Sequence, residues 1–277
     1  MKFIKLMTAI LAGSLAAMSC GPKKADAPKV LVLYYSQTSN TGAVARQIAD
    51  LLGADIEEIK AVEPYDGDFQ ATIQRCLQER EEGKLPEIHK LSSDLGAYDY
   101  IFLGYPVWFG TYAPPVITLL GQIDLAGKKV VPFCTFGSGG LESSVKDLAQ
   151  AQPEAEILPG YGVRAARMAA VPAELDRFLK ELGLLEGEVE ELPAFSEKAP
   201  VTDAESAVFD AAVDGYPMLN ARAKEFEHRL VPGGEEYIFT AEQLPREGGP
   251  AVPPGGDVYV YVLVEEGQAP VFTKVVR

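Results

Sequence analysis

The chain has 277 residues, longer than the about 100–200 residues of a usual single domain, which points to two domains or to one with a large appendage. Hydrophobic residues make up 47% and charged residues 23%, a globular composition that excludes a disordered chain and a multi-span membrane protein. The formal net charge is −15 and becomes two units more negative if Lys2 and Lys5 are removed, so no nucleic-acid partner is expected.

Residues 1–19 carry Lys2 and Lys5, an apolar run over 6–18, and small residues Ala17 and Ser19 just before Cys20. This is the pattern of a secretory signal peptide cut before Cys20, and the apolar run is shorter than the about 20 residues of a spanning helix. Leu15-Ala16-Ala17-Met18-Ser19-Cys20 resembles a bacterial lipobox, with Ala17 where that family prefers leucine. The resemblance implies a lipidated Cys20, a tether over 20–28, and an exported protein anchored to a bacterial membrane, facing the periplasm or the cell exterior. An ordinary secretory signal that happens to precede a cysteine is the plain alternative.

From Lys29 onward, short apolar runs alternate with amphipathic stretches, the signature of β-α-β units and a parallel sheet. The predicted strands are 30–35, 56–61, 100–105, 130–135 and, more weakly, 154–159. Between them, Val44, Ile48, Leu51 and Leu52 give one helix face with Gly53 as its stop, and residues 69–82 give a charged, largely exposed helix. Helical spacing recurs at Leu141, Val145, Leu148 and Ala149 and at Leu175, Phe178, Leu179 and Leu182; residues 112–121 are helical by position, after Pro114 and Pro115. Nearly all-apolar strands imply helices on both faces of the sheet.

Beyond Leu185 the composition turns acidic and Pro193 and Pro200 interrupt, so a second domain is expected over 193–277, a small α+β unit. A helical stretch is predicted over 203–230, then strands over 257–264 and 270–276 joined by a turn at Glu265-Glu266-Gly267-Gln268, with a Pro/Gly-rich loop at 246–256.

Three loops carry chemistry. Ser36-Gln37-Thr38-Ser39-Asn40-Thr41 lies between an apolar strand and an amphipathic helix, where open backbone N–H groups and hydroxyls suit an anion; a hydroxyl-rich helix cap is the bland reading. It holds no Lys or Arg, and no phosphate-binding G-x-x-x-x-G-K motif occurs near it. Gly104-Tyr105-Pro106-Val107-Trp108-Phe109-Gly110-Thr111-Tyr112 ends the third strand, where doubly wound sheets bind ligands. Thr135-Phe136-Gly137-Ser138-Gly139-Gly140 follows the fourth.

Together these segments resemble the flavodoxin family, in its short bacterial branch, over residues 29–185. Segment 36–41 is similar to S/T-x-T-G-x-T, matched by Ser36, Thr38, Asn40 and Thr41, with Ser39 where glycine is usual. Segment 104–110 is similar to G-x-P-x-W-[WF]-G. The resemblance implies a five-stranded parallel sheet of order 2-1-3-4-5 and a bound flavin mononucleotide (FMN). It places Ser36, Gln37, Thr38, Ser39, Asn40 and Thr41 around the phosphate, and Pro106, Val107, Trp108, Phe109 and Gly110 beside the ring. Thr135, Phe136, Gly137, Ser138 and Gly139 fall along its polar edge. Trp108, the only tryptophan, is the first candidate for ring contact; a core plug is its alternative role.

No catalytic residue and no metal ligand set is expected: His89 and His228 lack a second ligand at recognisable spacing, and Ser138 and Ser143 lack a nucleophile-elbow setting. Arg75 reads as a partner for nearby carboxylates. Cys76 and Cys134 could pair in an oxidising compartment, although Cys134 sits in an apolar run that suits a buried free thiol. The first function expected is an electron carrier of low reduction potential outside the cytoplasm, serving a redox partner protein or a small acceptor. A flavin-dependent reductase of quinones or other small acceptors, and a lipoprotein binding module that has lost its flavin, are the two alternatives.

Overall fold

The computed structural model describes residues 28–65, 68–216, 219–245 and 256–277. The signal peptide, Cys20, the tether up to residue 27 and nearly all of the Pro/Gly-rich loop lie outside the described residues.

Strand β1 (Val30–Tyr34) is buried along its whole length. Its two-residue period divides it between two cores: Leu31 and Leu33 face one, Val30, Val32 and Tyr34 the other. The same split recurs in β3 (Tyr100–Trp108), where Ile101 and Leu103 oppose Phe102, and in β5 (Lys129–Phe136), where Val130 and Cys134 oppose Val131 and Phe133. Continuous apolar runs in this sequence are therefore strands covered on both sides.

One cover is α1 (Asn40–Leu52) with α5 (Val171–Glu181), through Val44, Ile48, Leu175 and Leu179. The other is α2 (Phe69–Glu82), α3 (Pro114–Leu120) and α4 (Leu141–Ala151), through Cys76, Val116, Leu119 and Leu148.

The parallel sheet has β2 (Asp55–Glu58) beside β1, then β3, then β5. The predicted order 2-1-3-4-5 describes these four main strands, but the fifth place is divided. The weak run at 154–159 yields only β6 (Glu156–Ile157), and β7 (Tyr161–Arg164) pairs with the far half of β5. β3 also outruns its predicted end and folds back through β4 (Thr111–Tyr112).

The C-terminal strands form an antiparallel sheet of order β12-β11-β10-β9-β8, comprising β8 (Ala199–Pro200), β9 (Ala221–Val231), β10 (Gly234–Gln243), β11 (Asp257–Glu265) and β12 (Val271–Val276). Helix α6 (Asp203–Val213) closes one face, with Phe209 edge-on to Phe239 at 5.4 Å over a core that includes Val260, Phe272 and Val275. The helix predicted over 203–230 is corrected here: it stops at Val213, and 221–231 is a strand. Charged and alanine residues give that segment helical propensity, but register with β10, which sets Phe226 opposite Phe239, outweighs it.

Cys76 and Cys134 are both free and buried, so they do not pair. Burial pushes the Cys76 thiol up to about 11 and drives that of Cys134 higher still. Because the thiolate is the nucleophile, neither side chain should react at pH 8 in the folded protein. Peptide mapping after iodoacetamide treatment should find both unmodified until urea is added; labelling of either under native conditions would contradict this packing.

Candidate functional site

The turn after β1 places a hydroxyl cluster over the start of α1. Ser39, the residue before the helix, adopts the left-handed region (φ 67°, ψ −6°) and its side chain makes no capping bond. The first N–H groups of α1 thus have no intrahelical partner and no side-chain cap from Ser39. The Ser36 hydroxyl oxygen is buried and has no hydrogen-bond partner among the described residues, the only such side-chain atom among them. A buried hydroxyl left unpaired costs roughly 1–3 kcal/mol, a cost that an incoming acceptor removes.

Its neighbours are held differently. Thr41 is buried with its Oγ1 2.8 Å from Thr135 Oγ1. Thr38 is exposed and accepts a long bond of 3.4 Å from Asn40 Nδ2. The Gln37 amide donates to Thr72 Oγ1 at 2.6 Å and to the Tyr65 carbonyl at 3.2 Å, which commits that side chain to α2.

At the end of β3, Phe109 and Gly110 form a two-residue hairpin turn with φ of 53° and 85°, the paired positive values of a tight turn suited to strand twist. Trp108 stands edge-on to Tyr35 at 5.9 Å and to Tyr65 at 5.2 Å, half-buried, while Phe109 is 52% exposed. Behind this aromatic group the Tyr65 hydroxyl donates to Glu79 Oε2 at 2.6 Å. Arg75 donates to Glu79 Oε1 at 2.9 Å and lies 3.9 Å above the Tyr65 ring, the carboxylate partnership expected of it. Burial, then the Glu79 carboxylate, pushes the Tyr65 phenol far up, so it stays protonated.

The third loop joins the other two. Besides the Thr41–Thr135 pair, Gly140 (φ 115°) sits so close to Val107 that a Cβ there would stand 2.5 Å from Val107 Cγ1. Ser143 Oγ donates to the Gly110 carbonyl at 2.5 Å. Loops 36–41, 106–110 and 135–140 are therefore one connected surface at the carboxyl ends of β1, β3 and β5. Two predicted side chains stand apart from it: Gln37, turned to α2, and Phe136, whose ring belongs to the core.

Three residues near these loops carried no motif signal. Arg46 lies one helical turn beyond Gly42, and its Nη1 is 3.4 Å from where a Gly42 Cβ would stand, so a guanidinium does lie beside the first loop. Only the i, i+4 spacing could have suggested it. Arg164 Nε donates to the Gly137 carbonyl at 2.9 Å, and the Val275 N–H donates to the Ser138 carbonyl at 2.6 Å. A further cleft of about 310 Å³ opens beside the Trp108–Phe109 turn, lined by Cys76, Leu85, Trp108, Phe109, Tyr112 and Ile117 among others.

The profile of the family described as Flavodoxin matches residues 29–171. Among solved structures, a chain from Bacteroides eggerthii DSM 20697 assigned as a flavoprotein is 29% identical, over 54% of this chain and 96% of its own, with a TM-score of 0.47. A flavoprotein from Lactobacillus acidophilus NCFM, solved in complex with FMN, is 29% identical over 49% of this chain and 93% of its own, with a TM-score of 0.45. Oxidised flavodoxin 2 from Bacillus cereus is 21% identical over 55% and 99%, with a TM-score of 0.36. No curated protein matches the chain.

Ser39 occupies a conformation that costs a non-glycine residue about 1–2 kcal/mol, and its hydroxyl caps nothing in return. Glycine would release that cost against roughly 0.4–1 kcal/mol of extra unfolded-state freedom. Ser39→Gly should therefore stabilise the protein by about 0.5–1 kcal/mol in urea denaturation. A midpoint that falls would show that Ser39 contributes a contact the turn depends on.

Proposed function

The chain belongs to the flavodoxin family, and we propose that its three joined loops hold FMN and that the protein carries electrons outside the cytoplasm. The observation that carries this reading is the buried Ser36 hydroxyl without a partner among the described residues, beside the open first turn of α1. An anion at that place would take up both sets of donors. Ser36, Thr38, Ser39, Asn40 and Thr41 would surround the phosphate, with the Arg46 guanidinium as the nearby cation. Residues 106–110 and 135–139 would flank the ring and its polar edge, with Trp108 and the exposed Phe109 offering aromatic surface.

FMN supplies the redox chemistry; the protein sets how readily electrons are added. A chain of net charge −15 disfavours further negative charge, which suits a donor of low potential and a partner with a basic face. Export and a lipid anchor at Cys20 complete the proposal. Cys20→Ala should release the protein from membranes into the soluble fraction, and persistence with membranes after a high-salt wash would rule out the anchor.

The cleft beside Trp108 and Phe109 favours a second reading, reduction of a small apolar acceptor at the same flavin. Steady-state turnover with NAD(P)H and a quinone separates an enzyme from a carrier.

Ser36→Ala tests the main reading. Removal of a hydroxyl with no partner should leave the ligand-free protein at least as stable as the parent. FMN affinity should fall about ten- to hundredfold, the worth of a hydrogen bond to a charged group. Riboflavin, which lacks the phosphate, should bind the variant and the parent equally. A parent protein that stays colourless with added FMN, or an equal loss for riboflavin, would overturn the assignment.

A further inference from the structure

Strand β12 lies at the edge of the C-terminal sheet, yet its outward side is not left to solvent. The Val275 N–H is directed to the Ser138 carbonyl at 2.6 Å, and the Val275 carbonyl packs on Gly139 so tightly that a Cβ at 139 would overlap it. Beside this contact the Arg164 side chain, 9% exposed, spans the two sheets. Its Nε donates to Gly137 O at 2.9 Å, its Nη1 donates to Phe272 O at 2.8 Å, and its guanidinium lies 3.4 Å over the Phe272 ring. Lys274 and Glu142 close the rim at 2.6 Å. Phe272 and Val275 are themselves fixed in the core under α6, so the strand that grips the loop is rigid.

These bonds decide which way two peptide groups of the third loop face. No peptide bond among the described residues is cis, and in a trans peptide the carbonyl and the following N–H point in opposite directions. With the carbonyls of Gly137 and Ser138 held by Arg164 and Val275, the N–H groups of Ser138 and Gly139 are turned away from them. Neither has an acceptor among the described residues.

We propose that Arg164 and β12 are the positioning device of the third loop, holding its peptides so that the N–H groups of Ser138 and Gly139 are presented to the acceptor atoms along the ring edge of the bound flavin. This rests on the flavin reading of the site and adds to it a task for the C-terminal sheet. The ring edge belongs equally to FMN and riboflavin, so loss of the device weakens both ligands together, unlike loss of a phosphate donor.

The test uses the full chain with four substitutions. Val275→Pro removes the N–H that grips the loop, while Val275→Ala trims the same side chain and keeps it. Arg164→Met removes both donors of the bridge; Arg164→Lys keeps one charge but has no planar fork to span two carbonyls. NMR order parameters of the backbone amides of residues 137–140 in the ligand-free protein, hydrogen exchange across the C-terminal sheet, and affinities for FMN and for riboflavin are measured on each.

Val275→Pro and Arg164→Met should each lower the order parameters of the loop and raise the dissociation constants of both ligands together by about tenfold. Val275→Ala should leave both within about twofold, and Arg164→Lys should fall between. If Val275→Pro disrupts the C-terminal sheet, seen as fast exchange across β10 and β11, Arg164→Met decides. Folded variants with parental loop order parameters and parental affinities would overturn the proposal. A parent protein that binds neither ligand would instead remove the flavin reading, and the loop order parameters would still decide whether Arg164 and β12 hold the loop.

Discussion

The Thr41–Thr135 hydroxyl pair is the tie on which the shape of the site depends. β1 and β5 are not neighbours; β3 lies between them, so their axes are separated by about two strand spacings of 4.7–4.9 Å each. The 2.8 Å contact between Thr41 Oγ1 and Thr135 Oγ1 bridges that gap above the end of β3 and fixes the start of α1 relative to the end of β5. Both residues are buried, so removing one hydroxyl would strand the other at a cost of roughly 1–3 kcal/mol. Thr41 is thus a structural tie as well as a residue of the first loop. Ser36, whose hydroxyl has no such duty, is the cleaner reporter of a ligand.

Electrostatics and geometry act on different parts of this surface. The first loop contains no cation of its own, and its capacity for an anion comes from helix N–H groups and hydroxyls, with Arg46 brought alongside by one turn of α1. Such dipolar donors bind a compact anion at close range and lose strength quickly with distance, so they can hold a phosphate inside a strongly acidic protein without attracting polyanions. The aromatic surface at Trp108 and Phe109 rests on a separate support. Tyr35 and Tyr65 back the tryptophan edge-on, and the Tyr65–Glu79–Arg75 chain fixes Tyr65 in turn.

Most of the parallel sheet was legible because it is written in residue type. A short apolar run such as 30–34, too short for a helix and ending in a hydroxyl-rich turn, fits a strand covered on both faces, and the helix faces at Val44, Ile48 and Leu175 repeat every turn. The antiparallel strand β9 was not legible, since Arg222, Lys224, Glu225, Glu227 and Arg229 suit a helix when read alone and become strand residues only once β10 pairs beside them. The loops were recognisable from glycines and hydroxyls, but the ties between them were not all so. Thr41 and Thr135 are visible residues whose meeting is not, and Val275 contributes through its backbone, which leaves no mark in the side-chain alphabet.

The docking of β12 settles a problem for each of the two sheets it touches. An edge strand with free N–H and C=O groups invites pairing with other chains, and here Ser138 and Gly139 occupy it. A glycine-rich loop, in turn, has few side chains with which to fix itself, and entropy favours many conformations unless something outside holds it. The strand supplies that hold through the Ser138 carbonyl, and Arg164 supplies it again through Gly137. Because the contact is shared, its free energy is reciprocal. Whatever orders the loop strengthens the seat of the strand, and a ligand that binds the ordered loop must stabilise the docked C-terminal sheet by the same coupling through which that sheet favours the ligand.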